Sequence, residues 1–161
     1  ESGDKRMLDR MRKGTTVEQG GRAVAAARQA GIPVLAHFVL GIPGETIETI
    51  RRTVAHACAL DPDYAQFYCA TPQPGTALWE EATREGYLTS GDWSHFELNR
   101  AVLSTEHLSA SELERARRRA YLEFYLRLPV LRRLASRVTL RTLAGTAGHA
   151  ATFARDWILH G

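Results

Sequence analysis

The sequence predicts an α/β fold with parallel strands. Two short β-rich runs carry that reading, IPVLAHFVL at 32–40 and YAQFYCA at 64–70. Each is followed by a loop of glycine and proline and then by the period of an amphipathic helix. The first run is apolar almost throughout, which suits a strand covered on both faces, as in parallel sheets. Residues 41–63 between the runs are long enough for a right-handed helical crossover. In such sheets and barrels, ligands bind beyond the C-terminal ends of the strands. The loops GIPGE at 41–45 and TPQPGT at 71–76 therefore sit where a site would be.

The remaining elements follow in order. Residues 4–13 read as a short helix with Met7, Leu8 and Met11 on one side and Gly14 placed to end it. Thr16 and Gln19 form a capping box, opening a helix to about Ala30 that Gly31 stops. Gly20 and Gly21 weaken that helix by about 1 kcal/mol each relative to alanine. Ile47, Ile50, Val54 and Cys58 recur at helical spacing until Asp61-Pro62-Asp63 breaks the pattern. Residues 76–86 give a helix with Leu78, Trp79 and Ala82 as its apolar side, whereas 89–105 have no steady period. Ser109 and Glu112 form a second capping box. The helix it opens carries a stripe of Leu113, Ala116, Ala120, Phe124, Leu128 and Leu131, and Pro129 should kink or divide it. A last helical stretch is expected at 140–160, loosened by Gly145 and Gly148.

At 161 residues, with 44% hydrophobic and 24% charged, the chain has the composition of one ordinary globular domain. No apolar run approaches the ~20 residues that span a bilayer, so no transmembrane segment is expected. Cys58 and Cys69 make neither a disulfide framework nor a paired metal motif, and a reducing, cytoplasmic setting is the expectation. The first residue is Glu1 and not Met, which suggests a piece of a longer protein. From position 106 onward ten arginines face five acids, giving a basic tail of +5 against −2 for the rest. No aromatic ladder interleaves those arginines, so a solvated helix face is expected and nucleic acid is not.

Three pieces in order, ESGDKRMLDRMRKGTTVEQ, AGIPVLAHFVLGIPGETIETI and LDPDYAQFYCATPQPGTALWE, resemble the second half of a radical S-adenosylmethionine (SAM) enzyme. More narrowly, they resemble its cobalamin-binding group, which includes anaerobic magnesium-protoporphyrin ester cyclases and various methyltransferases. The resemblance implies the distal half of a partial (βα)6 TIM-like barrel over residues 1–88, then a helical C-terminal extension over 89–161. It implies SAM, a 4Fe–4S cluster that cleaves it reductively, and possible cobalamin as cofactors. The partners implied are a small-molecule substrate and an electron donor such as flavodoxin or ferredoxin. The family's Cys-x3-Cys-x2-Cys cluster loop is not in these 161 residues, so cluster ligands and any cobalamin domain would lie outside them and the chain alone should be inactive.

Carried over residue by residue, the resemblance makes Glu1 and Ser2 contacts to the ribose or methionine part of SAM. Gly41, Gly44 and Glu45 match its glycine-rich motif, and Phe67, Tyr68, Cys69 and Ala70 match the strand end whose main chain meets adenine. The residues themselves also allow plainer roles. Gly41 and Gly44 suit a simple turn, and Glu45 suits the cap of the following helix. His37 reads first as a hydrogen-bonded core histidine and second as a substrate-side group, with Gln66 as the other substrate-side candidate. No metal ligand set is expected within the chain. The alternatives from other classes are an adenosyl-binding or interaction module without a cluster, and a nucleic-acid-binding protein resting on the arginine-rich tail.

Overall fold

The computed structural model describes residues 1–137, and the helix expected at 140–160 lies outside the described residues. The order is α1 (Lys5–Arg10), α2 (Val17–Gln29), β1 (Leu35–Leu40), α3 (Ile47–Leu60), β2 (Tyr64–Cys69), α4 (Ala77–Arg84), α5 (Ala110–Tyr125) and α6 (Leu128–Arg137). A single 3₁₀ turn, Trp93–His95, interrupts the segment after α4. The strands pair in parallel, in register from Leu35 opposite Tyr64 to Leu40 opposite Cys69. The architecture is thus α/β, with a two-stranded parallel sheet and α3 as its crossover.

The helix starts follow local chemistry. Thr16 and Ser109 make the expected reciprocal capping boxes with Gln19 and Glu112. Asp4 caps α1 by accepting from the N–H groups of Arg6 and Met7. Asp61 ends α3 in a left-handed conformation, φ 47°. Its carboxylate then accepts from Arg127 and Arg133, at 3.0 and 3.1 Å, which ties the α5–α6 corner to the end of α3. Pro129 does divide the last helix: α5 stops at Tyr125 and α6 begins at Leu128.

The main core lies on one face of the sheet, and a smaller cluster of Ala70, Ala82 and Leu103 packs on Val39 at the strand end. Phe38 and Leu40 from β1 and Ala65, Phe67 and Cys69 from β2 pack with Ile50, Val54 and Ala57 of α3 and with Leu113, Ala120, Tyr121 and Phe124 of α5. Phe67 stacks against Phe38 and meets Tyr121 edge-on, with ring centroids 5.3 and 5.4 Å apart. Helix α5 also closes the outer edge of β2. Tyr121 Oη accepts from Phe67 N–H, Tyr125 Oη bonds both N–H and C=O of Ala65, and Leu98 C=O accepts from Cys69 N–H. The N–H groups of residues 65, 67 and 69 on that edge therefore all have partners, and covering an edge in this way is how native sheets protect it.

Several expectations change. β1 is covered on both faces only at its C-terminal end, where Val39 packs with Leu78 and Ala82 of α4 and with Leu103; Leu35 and His37 are exposed opposite the face packed by α3 and α5. Its apolar run is longer than this packing requires. The stripe of α5 ends at Phe124, leaving Leu128 and Leu131 at 66% and 42% exposure. The break at 126–127 rotates the following helix, so the period does not carry across it. The arginine face is also not wholly solvated. Arg117 is 0% exposed, four residues from Leu113 and four from Tyr121, and its guanidinium lies 5.6 Å from the Tyr121 ring centre.

Candidate functional site

The GIPGE loop is held from inside. Gly41 has φ 89°, and a Cβ built there would lie 2.2 Å from Leu113 Cδ2. Only glycine meets both conditions. The Glu45 side chain folds back so that its Oε2 accepts from Gly41 N–H, and it is fully buried. Burial pushes its carboxyl up to about 7, against the N–H groups of the loop that favour the charged form. The helix cap expected of Glu45 is supplied instead by Thr46, which makes a capping box with Thr49. The acid at the strand mouth thus braces the loop, and the hydroxyl after it starts the helix.

Glu1 and the strand-end loops converge. Val39 N–H donates to Glu1 C=O at 3.0 Å, so residue 1 lies along the outer edge of β1. An open cleft of about 520 Å³ runs beyond the strand ends, lined by Glu1, Lys13, Val39, Ile42, Pro43 and Leu78 among others. Glu1 and Lys13 are paired across 2.6 Å at its rim, and Arg10 pairs with Glu81 there. A second cleft, of about 630 Å³, opens between α2 and β1 and shares Glu1, with His37 on its wall.

The other sequence-predicted residues divide by face. Ser2 is buried, and its hydroxyl bonds Thr53 Oγ1 at 3.0 Å. The same oxygen accepts Gly3 N–H, and a Cβ on Gly3 would meet His56 at 2.5 Å. Ser2 therefore anchors the chain to α3; it lines the wall of the second cleft and not the first. Phe67 and Cys69 point into the helix-packed core, their N–H groups taken by Tyr121 and Leu98. Ala70 is buried, with its N–H on Leu40 C=O at 2.7 Å. Gly44 has φ 86° with no heavy atom near its missing Cβ.

On the opposite face stand His37, Gln66 and Tyr68. His37 sits directly across from Gln66 in the ladder. Its Nδ1 lies 3.1 Å from Tyr68 Oη, and that hydroxyl in turn bonds Gln66 Oε1. The imidazole and phenol rings stack, with centroids 5.5 Å apart. His37 is exposed and not a core histidine, because the packing on this face of β1 stops at Val39 and leaves His37 on the wall of the second cleft.

Sequence reasoning missed Thr53, which receives both Ser2 and Gly3, and the two tyrosines that close the edge of β2. The tyrosines carried a signal, since Tyr121 and Tyr125 are four apart and belong to one helix face. The chain has two cysteines, and burial raises both thiols, Cys69 to about 12. Among the described residues no three His, Cys, Asp or Glu groups are placed to hold an ion.

No family model matches the chain. Individual proteins do. It is 39% identical over 131 residues to an uncharacterized methyltransferase of Pyrococcus horikoshii, covering 81% of this chain and 28% of that protein. It is 30% identical over 120 residues to the anaerobic magnesium-protoporphyrin IX monomethyl ester cyclase of Cereibacter sphaeroides, covering 74% and 19% respectively. It is 28% identical over 114 residues to the tRNA-2-methylthio-N(6)-dimethylallyladenosine synthase of Paracoccus denitrificans, covering 70% and 25%. These relatives support the radical SAM superfamily. All three are named as enzymes, and their three reactions differ. The chain spans no more than about a quarter of the length of these relatives, 28% at most.

Proposed function

We propose that this chain is the distal part of a radical SAM barrel, in which β1 and β2 are the last strands and residues from 89 onward are the helical extension. The observation that carries the reading is the meeting of Glu1, the GIPGE loop and the start of α4 at one cleft beyond the strand ends. SAM bound there and cleaved at a 4Fe–4S cluster would supply a carbon radical able to take hydrogen from an unreactive C–H bond. This chain does not fit the cluster itself, since two cysteines with raised thiol pKa values cannot provide three thiolate ligands. The cluster ligands are assigned to sequence outside these residues, consistent with the small share of each relative that the chain spans.

The residues present fit the other end of the cofactor. Ile42 and Pro43 give a flat ring an apolar wall, Gly41 and Gly44 shape the loop that carries them, and Glu1 offers a carboxylate to hydroxyl or ammonium donors. Glu45 keeps the loop in shape from behind. The main chain at Ala70 closes the second strand, and Tyr68, Gln66 and His37 face the side on which a substrate would lie. The proposal extends to the cobalamin-linked group, and relatives named as ester cyclases and as a methyltransferase support a ring-closing or methyl-transferring reaction.

The test is the longer gene product, expressed anaerobically and reduced with dithionite in the presence of SAM. Release of 5′-deoxyadenosine is expected, and this chain by itself should release none. A reconstituted full-length protein that binds iron and sulfide but leaves SAM intact overturns the reading.

A further inference from the structure

The hydrogen bonds of His37, Tyr68 and Gln66 constrain one another, and the constraint has a chemical result. Tyr68 has one hydroxyl proton, and that proton is directed to Gln66 Oε1. The phenol oxygen can then only accept from His37, 3.1 Å away, which requires the proton of a neutral imidazole to sit on Nδ1. The stacked phenol holds the ring in plane while it does so, with 12° between the two rings. Nε2 is left as a bare acceptor on an exposed side chain, on the wall of the open cleft between α2 and β1. In water the Nε2–H tautomer is the ordinary one, so this arrangement reverses the ring's default.

We propose that the trio is a substrate-positioning site, in which Gln66 and Tyr68 fix His37 in the Nδ1–H tautomer and present Nε2 to a hydrogen-bond donor. The substrate class is one that carries a hydroxyl, amide N–H or ammonium group near the carbon that reacts. The assignment to substrate rests on the radical SAM reading, but the tautomer does not. His37 acts here as an acceptor, while Tyr68 and Gln66 are positioning residues that work through it. The register explains why the three are available together. His37 and Gln66 are opposite each other across the pair, and Tyr68 is two residues on, on the same face.

The experiment is long-range proton–nitrogen NMR on the 161-residue chain labelled with 15N histidine, which reads the protonated ring nitrogen directly. In the unmodified chain His37 should carry its proton on Nδ1. Tyr68→Phe removes the acceptor, and the ring should revert to Nε2–H. Gln66→Leu removes the partner of the tyrosine proton, frees Tyr68 to donate to Nδ1, and should also revert the ring. A structural role for Gln66 would not move a proton on another residue. An unmodified His37 already protonated on Nε2, or a Gln66→Leu variant that leaves it on Nδ1, overturns the proposal. In parallel, diethyl pyrocarbonate should modify His37 at Nε2 in the unmodified chain, read by mass spectrometry, and a protected His37 would show that the lone pair is not presented. Absence of 5′-deoxyadenosine release in the longer protein would remove the substrate assignment and leave these readouts unaffected.

Discussion

Replacing Gly41 by alanine tests how the loop is built. Two separate costs arise at this position. The residue has φ 89°, and an L side chain in the left-handed region costs about 1–2 kcal/mol. The added Cβ would also fall 2.2 Å from Leu113 Cδ2 and 3.2 Å from its Cγ. Leu113 is 1% exposed within the main core, so its side chain cannot turn aside without displacing neighbours. Overpacking of that kind costs about 1–3 kcal/mol. The sum, about 2–5 kcal/mol, is a large part of the total stability of a domain this size. Gly44 is the internal control. Its φ of 86° is nearly the same, but no heavy atom lies within 4 Å of the site of its Cβ. Gly44→Ala should therefore show the backbone cost alone, about 1–2 kcal/mol. Equilibrium urea unfolding of both variants gives the difference directly. A third variant, Leu113→Ala, should be less costly when Gly41 is already alanine, with a coupling of about 1–3 kcal/mol. Equal losses at the two glycines, together with no coupling to Leu113, would refute close packing as the reason for glycine at 41.

Two further outcomes follow from buried polar groups. The Glu45 carboxyl titrates near 7 in the folded chain against an ordinary value of 4.5, so the native state binds the extra proton between those values. Its contribution is fully present below about pH 4.5 and is lost as pH rises through about 7, a change on the order of 3 kcal/mol. Glu45→Gln, which keeps an acceptor for Gly41 N–H, should remove that part of the slope in urea unfolding measured from pH 5 to 8, and an unchanged slope would place the titration elsewhere. Tyr121→Phe leaves Phe67 N–H without its acceptor inside the core, at a cost of about 1–3 kcal/mol. Hydrogen exchange should quicken at Phe67 while Ala65, bonded to Tyr125, keeps its protection, and uniform quickening would mean the edge opens as one unit.

What the sequence revealed was local. The capping boxes at Thr16 and Ser109 are written in adjacent residues, and they form as read. The box at Thr46 escaped notice because Thr49 stands where glutamate or glutamine would mark it, although its hydroxyl does the same work. The strand ends were legible from Gly41 and from Pro72–Gly75, since those residues stop a ladder wherever they fall. Which face of β1 is open was not legible. An all-apolar run is compatible with either face buried, and the choice depends on elements far away in sequence. Arg117 shows the opposite error. Its position four after Leu113 placed it on the buried stripe, but the charge of its neighbours at 115, 118 and 119 drew it into the solvated face. The site divided in the same way. Gly41 and Glu45 were found from a motif, whereas the pairing of His37 with Tyr68 needed the register of the sheet.

The two edges of that sheet are unlike, and the difference carries the proposed architecture furthest. On the outer side of β2, hydroxyls from Tyr121 and Tyr125 and the carbonyl of Leu98 occupy the groups of residues 65, 67 and 69. Adding a strand there would require α5 to leave, and with it Leu113, Ala120 and Phe124, which lie in the main core. On the outer side of β1, among the described residues, Glu1 alone supplies a backbone partner, at Val39. A parallel sheet extended from this chain would therefore grow from β1 and end at β2. Glu1 already lies where such a neighbour would run, and α2, which has no buried residue of its own, flanks the cleft beside it. The exposed face of Leu35 and His37 then has a physical reason: it is the surface that further strands of the proposed barrel would turn inward, with the His37–Tyr68–Gln66 trio toward its centre.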